Sequence, residues 1–449
     1  MRQVSSILPQ HHLKFLENPS VKFSVFVMPP DRWHETPRRP WQIDNCIARK
    51  NPHILIAMVS PRMRIIWECV MPSLLQDLDP DGLLEYSVVF TDRSLNSMSR
   101  RFQGVMNDIS AVLKRAYKAH SVIVIPGGGT FGMEAIARQF GDDEHVMIIR
   151  NGWFSFRWSE IMEKGRIATS TTVLAASQID GGANRQSPFA PMPIADVVDR
   201  ISADRPGLVC APHVETSAGM MLPDDYIRAV ADAVHAVGGI FVLDCVASGA
   251  MWVDMQGLGV DVLLSAPQKG WSASPCSGLV MLSERARARI DQTNAASYVC
   301  DLKKWLAIME TYEKGGHAYH ATMPTDALAT FRDALLETEA YGFDRVRDEQ
   351  IALGTAIREL LEARGVKSVA ADGFKAPSVV VSFTDDDDIR NGSKFAAEGV
   401  QIAAGVPLEC GEGPEFKTFR IGLFGLDKLH DCERSVANFQ AALDRVIPA

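Results

Sequence analysis

Short apolar runs alternate with segments of helical periodicity from about residue 60 to about residue 300. Runs rich in Val, Ile and Leu predict strands within 121–129, 145–152, 205–219, 240–248, 260–267 and 277–283, and apolar residues at helical spacing predict helices at 133–140 and 223–239. Continuous apolar strands separated by helices are typical of a parallel sheet that is covered on both faces. The pattern therefore predicts an α/β fold with a mostly parallel sheet.

The pattern changes after about residue 340. A long helical stretch at 343–365 precedes strands at 378–383 and 416–425, and a helix at 432–447 closes the chain. This order predicts a smaller α+β domain. We therefore divide the chain into an N-terminal arm, a large domain and a small C-terminal domain, with the bounds 1–60, 61–340 and 341–449.

Composition and charge exclude several classes of function. The chain has 449 residues, of which 47% are hydrophobic, and a formal net charge of −9. A negative charge disfavours nucleic acid and acidic membrane surfaces as partners. Neither a membrane-spanning stretch nor a continuous apolar secretion signal is seen, and the 8 cysteines show no CxxC pair or metal-ligand spacing. We expect a cytoplasmic enzyme without a metal site.

A cluster of glycines ends the first predicted strand, in "IPGGGTFG" at 125–132. Glycines let the backbone approach a ligand closely, and the free N–H groups of the following helix favour a phosphate. Gly127, Gly129 and Gly132 also satisfy the G-x-G-x-x-G pattern, with Arg150 placed to hold the 2′-phosphate of NADP. The cluster alone leaves three possibilities open: a cofactor phosphate, an NADP-binding oxidoreductase, or a turn without ligand.

Two charged residues follow buried strands. Asp244 follows "IFVL", and Lys269 follows "LLSAPQ". Open α/β sheets bind ligands at the carboxyl ends of their strands, so we expect this acid and this amine to meet at one edge. A buried carboxylate needs a cation such as a pyridinium nitrogen, and a lysine can form a Schiff base with a carbonyl cofactor. Together with the glycines, they predict a pyridoxal 5′-phosphate site with Lys269 as its catalytic residue.

The chain resembles the class V aminotransferases of fold type I, the family of alanine–glyoxylate and serine–pyruvate aminotransferases. The resemblance begins at about residue 60 and rests on "GGTFGMEA" (128–135), "NGWFSFR" (151–157), "HVETSAG" (213–219), "LDCVAS" (243–248), "SAPQKGW" (265–271), "YHATMPTDAL" (319–328) and "FRIGLFG" (419–425). It implies a seven-stranded, mostly parallel sheet in the large domain. It also implies a homodimer with active sites at the subunit interface.

Each of these motifs implies roles for particular residues. The implied cofactor-binding residues are Gly128, Gly129, Thr130 and Gln268 for the phosphate, Phe154 for the ring face, Thr216 for the phenolic oxygen, Asp244 for the ring nitrogen, Lys269 for the Schiff base, and Tyr319 and Thr322 for the phosphate in the neighbouring subunit. Trp153 is the alternative to Phe154 as the stacking ring. Arg420 is implied to bind the substrate carboxylate through two parallel hydrogen bonds.

The resemblance implies an aminotransferase that works by a ping-pong mechanism. It would move an amino group between a small amino acid, such as alanine or serine, and a 2-oxo acid such as glyoxylate or pyruvate. A lyase, a cysteine desulfurase and an aminoethylphosphonate transaminase stay open as alternatives on the same fold.

Cys410 is the candidate nucleophile for the desulfurase alternative, since it lies shortly before Arg420. Desulfurases typically carry His directly before the lysine and His on the ring, where this chain has Gln268 and Phe154. Nearby Glu409 and Glu412 are expected to raise the thiol pKa, which disfavours a nucleophilic thiolate. We therefore expect Cys410 to be an incidental loop cysteine.

Overall fold

The computed structural model describes residues 83–448, which lie within one compact unit. The arm predicted at 1–60 and the start of the predicted large domain lie outside the described residues. The described strands are β1 (Ser121–Pro126), β2 (His145–Arg150), β3 (Ser170–Ala175), β4 (Ser177–Gln178), β5 (Phe189–Ala190), β6 (Leu208–Pro212), β7 (Val214–Glu215), β8 (Met220–Met221), β9 (Ile240–Asp244), β10 (Val262–Ser265), β11 (Ser277–Leu282), β12 (Val379–Phe383), β13 (Ala403–Ala404) and β14 (Thr418–Gly422).

Helices separate most of the longer strands. They are α1 (Arg100–Tyr117), α2 (Gly129–Phe140), α3 (Trp153–Gly165), α4 (Ile194–Asp204), α5 (Asp224–Ala236), α6 (Met255–Leu258), α7 (Glu284–Ile290), α8 (Leu302–Glu313), α9 (Thr325–Tyr341), α10 (Phe343–Glu362), α11 (Asp387–Arg390), α12 (Ser393–Ala397), α13 (Leu426–Leu429) and α14 (Cys432–Val446). None of these described helices combines the length and the hydrophobicity that a membrane crossing requires.

A seven-stranded sheet carries the candidate site, with the strand order β3-β2-β6-β9-β10-β11-β1. The pairs from β3 to β10 are parallel, and β11 runs antiparallel to both of its neighbours, β10 and β1. The α/β architecture and the mostly parallel, seven-stranded sheet are therefore as predicted.

Burial explains why the central strands are apolar throughout. Every residue of β6, β10 and β11 is buried. Helix α1, for example, covers the sheet with an apolar face that includes Phe102, Val105 and Ile109. Strand β3 at the sheet edge differs, because Leu174 is the only one of its six residues that is buried. An edge strand needs few apolar residues, so β3 was not predicted from the sequence.

The region after α9 has a sheet of its own. β14 lies between β12 and β13, and both pairs are antiparallel. A separate hydrophobic cluster there includes Leu353, Phe395, Phe419 and Leu443. The helices and strands predicted for this region are confirmed, whereas the domain boundary at residue 340 stays a prediction.

Candidate active site

The candidate site lies at the carboxyl edge of the parallel strands. Strand β9 ends at Asp244, and the parallel strand β10 ends at Ser265, shortly before Lys269. The register places Leu264 of β10 beside Asp244. The fold therefore brings the acid and the amine to neighbouring strand ends, as the sequence predicts.

Asp244 is a half-buried carboxyl group in an apolar setting. Its Oδ1 accepts a hydrogen bond of 3.0 Å from the backbone N–H of Val246. Burial raises the pKa of Asp244 to about 6, although this N–H group and the charge of Lys269 act in the opposite direction. A carboxylate in this position is suited to a cationic partner.

Lys269 is a half-buried amine that faces two aromatic rings. Its Nζ lies 6.0 Å from the ring centroid of Phe154 and 5.1 Å from that of Phe424. Burial lowers the pKa of Lys269, and the charges of Arg420 and Arg157 lower it further, while Asp244 opposes them. A lowered pKa makes the neutral amine more available as a nucleophile and as a base.

Phe154, rather than Trp153, has its ring at the site. The Phe154 ring centroid lies 5.6 Å from Arg420 Cζ and 4.6 Å from Arg157 Cζ. The ring of Trp153 instead packs against Phe156, with 5.7 Å between the centroids. Of the two predicted alternatives, the geometry favours Phe154 as the ring that covers a cofactor.

Glu215 ties the start of α3 to the neighbouring hairpin. This carboxylate is fully buried. It accepts hydrogen bonds from the backbone N–H groups of Phe154 and Ser155, from the N–H group of Ser217, and from both serine hydroxyls. Ser217 Oγ also accepts the N–H of Trp153 at 2.9 Å. A negative charge at a helix N-terminus is favourable, so Glu215 fixes the aromatic segment in place.

Thr216 lies in the same buried hairpin as Glu215. It is 4% exposed, and its Oγ1 atom is buried without a hydrogen-bond partner among the described residues. A buried hydroxyl that lacks a protein partner is uncommon and costs free energy. It is suited to a ligand oxygen, as the resemblance implies.

The glycine cluster forms a turn that opens directly into α2. Gly127 has a φ of 121°, which favours glycine. Gly128 is the N-cap of α2, and a Cβ added to it would meet no atom within 4 Å. The following Gly129 is buried, whereas Thr130 is exposed. There is therefore free space beside the N-cap of α2, where an anion could meet the first N–H groups of the helix.

Three further predicted residues lie on the surface of the described chain. Gln268 is exposed beside Lys269. Tyr319 is 59% exposed, and its hydroxyl lies 3.1 Å from that of Thr322. The contacts of Tyr319 and Thr322 with a neighbouring subunit, and of Gln268 with a phosphate, stay predictions.

Arg420 reaches the site from the C-terminal sheet. It lies on the central strand β14, and its Nε donates a hydrogen bond of 2.8 Å to the carbonyl oxygen of Ala404. Burial lowers the pKa of Arg420, and the carboxylate of Glu215 opposes that shift. Arg420 and Lys269 are far apart in the sequence, but both side chains lie beside the ring of Phe154.

Sequence reasoning missed two side chains of the site, Arg157 and Phe424. Arg157 lies three residues after Phe154, which places both on one face of α3. Phe424 lies within the same motif as Arg420. Helical spacing could have identified Arg157, but a local pattern does not show that Phe424 faces Lys269.

Arg150 is engaged in protein contacts. Its guanidinium donates hydrogen bonds of 3.0 Å to the carbonyl oxygen of Glu409 and 2.8 Å to Ser159 Oγ, and it lies 4.8 Å from the ring centroid of Phe156. This arrangement disfavours the NADP alternative, which needs the guanidinium for a 2′-phosphate.

Cys410 is half-buried, with its thiol 3.4 Å from the carbonyl oxygen of Arg150. Burial raises the pKa of the Cys410 thiol to about 12, and the charges of Glu412 and Glu215 contribute. The thiolate is therefore scarce at neutral pH, which disfavours the desulfurase alternative. The sequence predicted that Glu412 raises the pKa of this thiol, and the structure agrees. Glu409, for which the same effect was predicted, is exposed and is not among the causes of the shift.

A mostly parallel sheet with an acid and an amine at its carboxyl edge is the arrangement expected of fold type I, pyridoxal phosphate-dependent enzymes. The chain belongs to the aminotransferase class V family, whose model matches residues 83–407. The predicted family and enzyme class, a pyridoxal phosphate-dependent aminotransferase, are thereby confirmed.

Similar proteins and solved structures support this family assignment. The chain is 26% identical over 347 residues to alanine–glyoxylate aminotransferase 1 of Saccharomyces cerevisiae, covering 72% of this chain and 83% of the relative. It is 29% identical over 329 residues to a 2-aminoethylphosphonate–pyruvate transaminase of Burkholderia thailandensis, covering 72% and 83%. The solved ureidoglycine–glyoxylate aminotransferase of Bacillus subtilis has a TM-score of 0.65 at 22% identity and covers 80% of this chain and 87% of its own. That likeness confirms the fold.

Proposed function

We propose that this chain binds pyridoxal 5′-phosphate at the site around Lys269 and transfers an amino group between a small amino acid and a 2-oxo acid, such as glyoxylate or pyruvate. The mechanism is ping-pong, and the enzyme is a homodimer. The observation that carries the proposal is the position of Lys269, a half-buried amine with a lowered pKa at the strand edge that also holds Asp244.

The described residues fit this cofactor in three respects. Thr216 Oγ1 is a buried hydroxyl without a partner in residues 83–448, which suits the phenolic oxygen. The space beside Gly128, at the start of α2, suits the phosphate. Asp244 supplies the carboxylate that a protonated ring nitrogen requires. The remaining ligands that we assign are Gly129, Thr130, Gln268 and Phe154, with Tyr319 and Thr322 acting across the dimer interface.

Each side chain of the site has its own role in the proposed reaction. When bound, the cofactor supplies a ring that accepts the electron pair released at the substrate Cα. Asp244 would keep the ring nitrogen protonated, and Phe154 would cover one ring face. Lys269 Nζ takes the proton from the substrate Cα, a role that its lowered pKa favours. Arg420 binds the substrate carboxylate and thereby orients the Cα–H bond.

The choice of substrates rests on the named relatives. One is an alanine–glyoxylate aminotransferase, and another is a 2-aminoethylphosphonate–pyruvate transaminase. We therefore propose alanine or serine as the donor and glyoxylate or pyruvate as the acceptor. 2-Aminoethylphosphonate is the second candidate donor, favoured by the 29% identity of that relative.

The visible absorption spectrum of the purified protein tests this proposal. L-alanine, L-serine and 2-aminoethylphosphonate are added separately, and glyoxylate or pyruvate is then added to complete the cycle. We expect a yellow protein whose visible band bleaches with one donor and returns with an acceptor. The Lys269→Ala variant should lack turnover and the lysine-linked band.

Three results would contradict the proposal. A protein that stays colourless with added cofactor would overturn cofactor binding. A yellow protein that no amino donor bleaches would favour lyase chemistry on the same fold. Full activity in Lys269→Ala would remove the lysine from the mechanism.

A further inference from the structure

Arg157 places a positive charge at the candidate site, and the resemblance to class V aminotransferases implies no role for it. We propose that its guanidinium neutralises the phosphate of the cofactor, in a pocket that Arg157 forms together with the start of α2. This inference rests on the proposed function, since it concerns the same cofactor.

The position of Arg157 connects the glycine turn with the aromatic ring. Its Nη1 lies 3.4 Å from Thr130 Oγ1, in the first turn of α2. Its Cζ lies 4.6 Å from the ring centroid of Phe154. The guanidinium therefore lies between the ring that would cover the cofactor and the helix end that would bind its phosphate.

Arg157 has no carboxylate within ion-pair distance among residues 83–448. Lys164 on the same helix differs, because it pairs with Glu160 at 2.6 Å. Arg157 also lies near enough to Lys269 and Arg420 to lower the pKa of both. Two carboxylates lie nearby, but Glu215 is engaged at the start of α3 and Asp244 is assigned to the ring nitrogen of the cofactor. A further anion beside these three cations is therefore favourable.

A phosphate group supplies that anion. The start of α2 offers backbone N–H groups and a partial positive charge of about one half, which falls short of neutralising a phosphate. The turn itself has no charged side chain, since Gly127, Gly128, Gly129 and Thr130 are all neutral. A guanidinium provides a full charge and two parallel donors, the geometry that phosphate oxygens prefer.

The test compares two ligands that differ only in the phosphate. The apoprotein is titrated with pyridoxal 5′-phosphate and with pyridoxal, and binding is followed by absorbance for wild type, Arg157→Gln and Lys164→Gln. We expect Arg157→Gln to weaken binding of pyridoxal 5′-phosphate about 10- to 100-fold, the loss of one charge-assisted contact. Its affinity for pyridoxal should change by less than about twofold. Lys164→Gln removes a charge from the same helix and should leave both affinities unchanged.

A second measurement uses the wild-type protein and so does not depend on the folding of a variant. Phenylglyoxal modifies arginine side chains, and peptide mapping reports how much of Arg157 has reacted. We expect pyridoxal 5′-phosphate and inorganic phosphate to protect Arg157, and pyridoxal to protect it less.

The outcomes separate the two proposals. If Arg157→Gln keeps the wild-type preference for the phosphorylated ligand, or if pyridoxal protects Arg157 equally well, this inference is wrong and the proposed function stands. If Arg157→Gln instead loses only activity toward donors with a second acidic group, Arg157 binds substrate and the inference is also wrong. If the wild-type protein binds neither ligand, the proposed function fails as well.

Discussion

Replacing Glu215 with Gln removes a buried negative charge that five hydrogen bonds hold in place. The amide of Gln has one oxygen, so its N–H₂ group faces the backbone N–H of Ser155 if it replaces Oε2, or those of Phe154 and Ser217 if it replaces Oε1. At least one backbone donor is then left unpaired in a buried position. The hydroxyl of Ser155 can rotate and accept from the new amide, but a backbone N–H cannot.

These losses set the expected change in the free energy of unfolding. An unpaired buried donor costs about 1–3 kcal/mol. Loss of the negative charge at the start of α3 adds about 0.3–1 kcal/mol, and up to about 2 kcal/mol where the site is buried. We therefore expect Glu215→Gln to lower the free energy of unfolding of the apoprotein by about 3 kcal/mol, the lower end of what breaking a buried charged network costs.

Urea unfolding of the apoprotein, followed by tryptophan fluorescence, measures this change. Glu160→Gln is the matched control, because Glu160 lies on the same helix and its only described pairing is the exposed one with Lys164. The control should change the free energy of unfolding by less than about 0.5 kcal/mol. If Glu215→Gln changed stability no more than Glu160→Gln does, Glu215 would not fix the start of α3 as we argue.

Two further predictions concern titratable groups of the site. Because the folded-state pKa of Asp244 is about 6, above its ordinary value, folding binds a proton there, and the apoprotein loses stability as pH rises through about 4 to 6. Apo Asp244→Asn should therefore be more stable than the wild-type apoprotein at about pH 8, by thermal denaturation, and lose that advantage at about pH 4; a pH-independent difference would contradict the assignment. The wild-type protein should release no sulfide from L-cysteine, since the thiol pKa of about 12 leaves little thiolate, and Cys410→Ser should keep transamination within about twofold. Sulfide release by the wild-type protein that Cys410→Ser abolishes would revive the desulfurase alternative.

The sequence predicts the central strands because they are buried on both faces. Strands such as β6 and β10 are apolar at nearly every position, so their runs are clear without any knowledge of partners. Strand β3 was missed for the opposite physical reason. It lies at the sheet edge, and its residues Ser170, Thr171 and Val173 are exposed, so burial puts little constraint on its composition.

The candidate site is predictable where its residues lie at strand ends. Asp244 and Lys269 are recognisable because a charged residue at or shortly after the end of an apolar run is unusual and its position in an α/β sheet is known. Phe424 could not be found in this way, because its proximity to Lys269 depends on how the C-terminal region packs. The roles predicted for Tyr319 and Thr322 involve a second subunit, so a single chain leaves them predictions.

The position of Arg420 depends on contacts between distant parts of the sequence. The loop that precedes β14 packs on the end of β2, where Arg150 donates to the carbonyl oxygen of Glu409 and the thiol of Cys410 contacts the carbonyl oxygen of Arg150. Within that loop, the carboxylate of Glu412 accepts the backbone N–H groups of Leu408, Glu409 and Cys410. These contacts hold the strand that carries the arginine against the parallel sheet that carries Lys269. Arg150 and Cys410, which the sequence presents as candidate chemical groups, are therefore engaged in packing this loop on the end of β2.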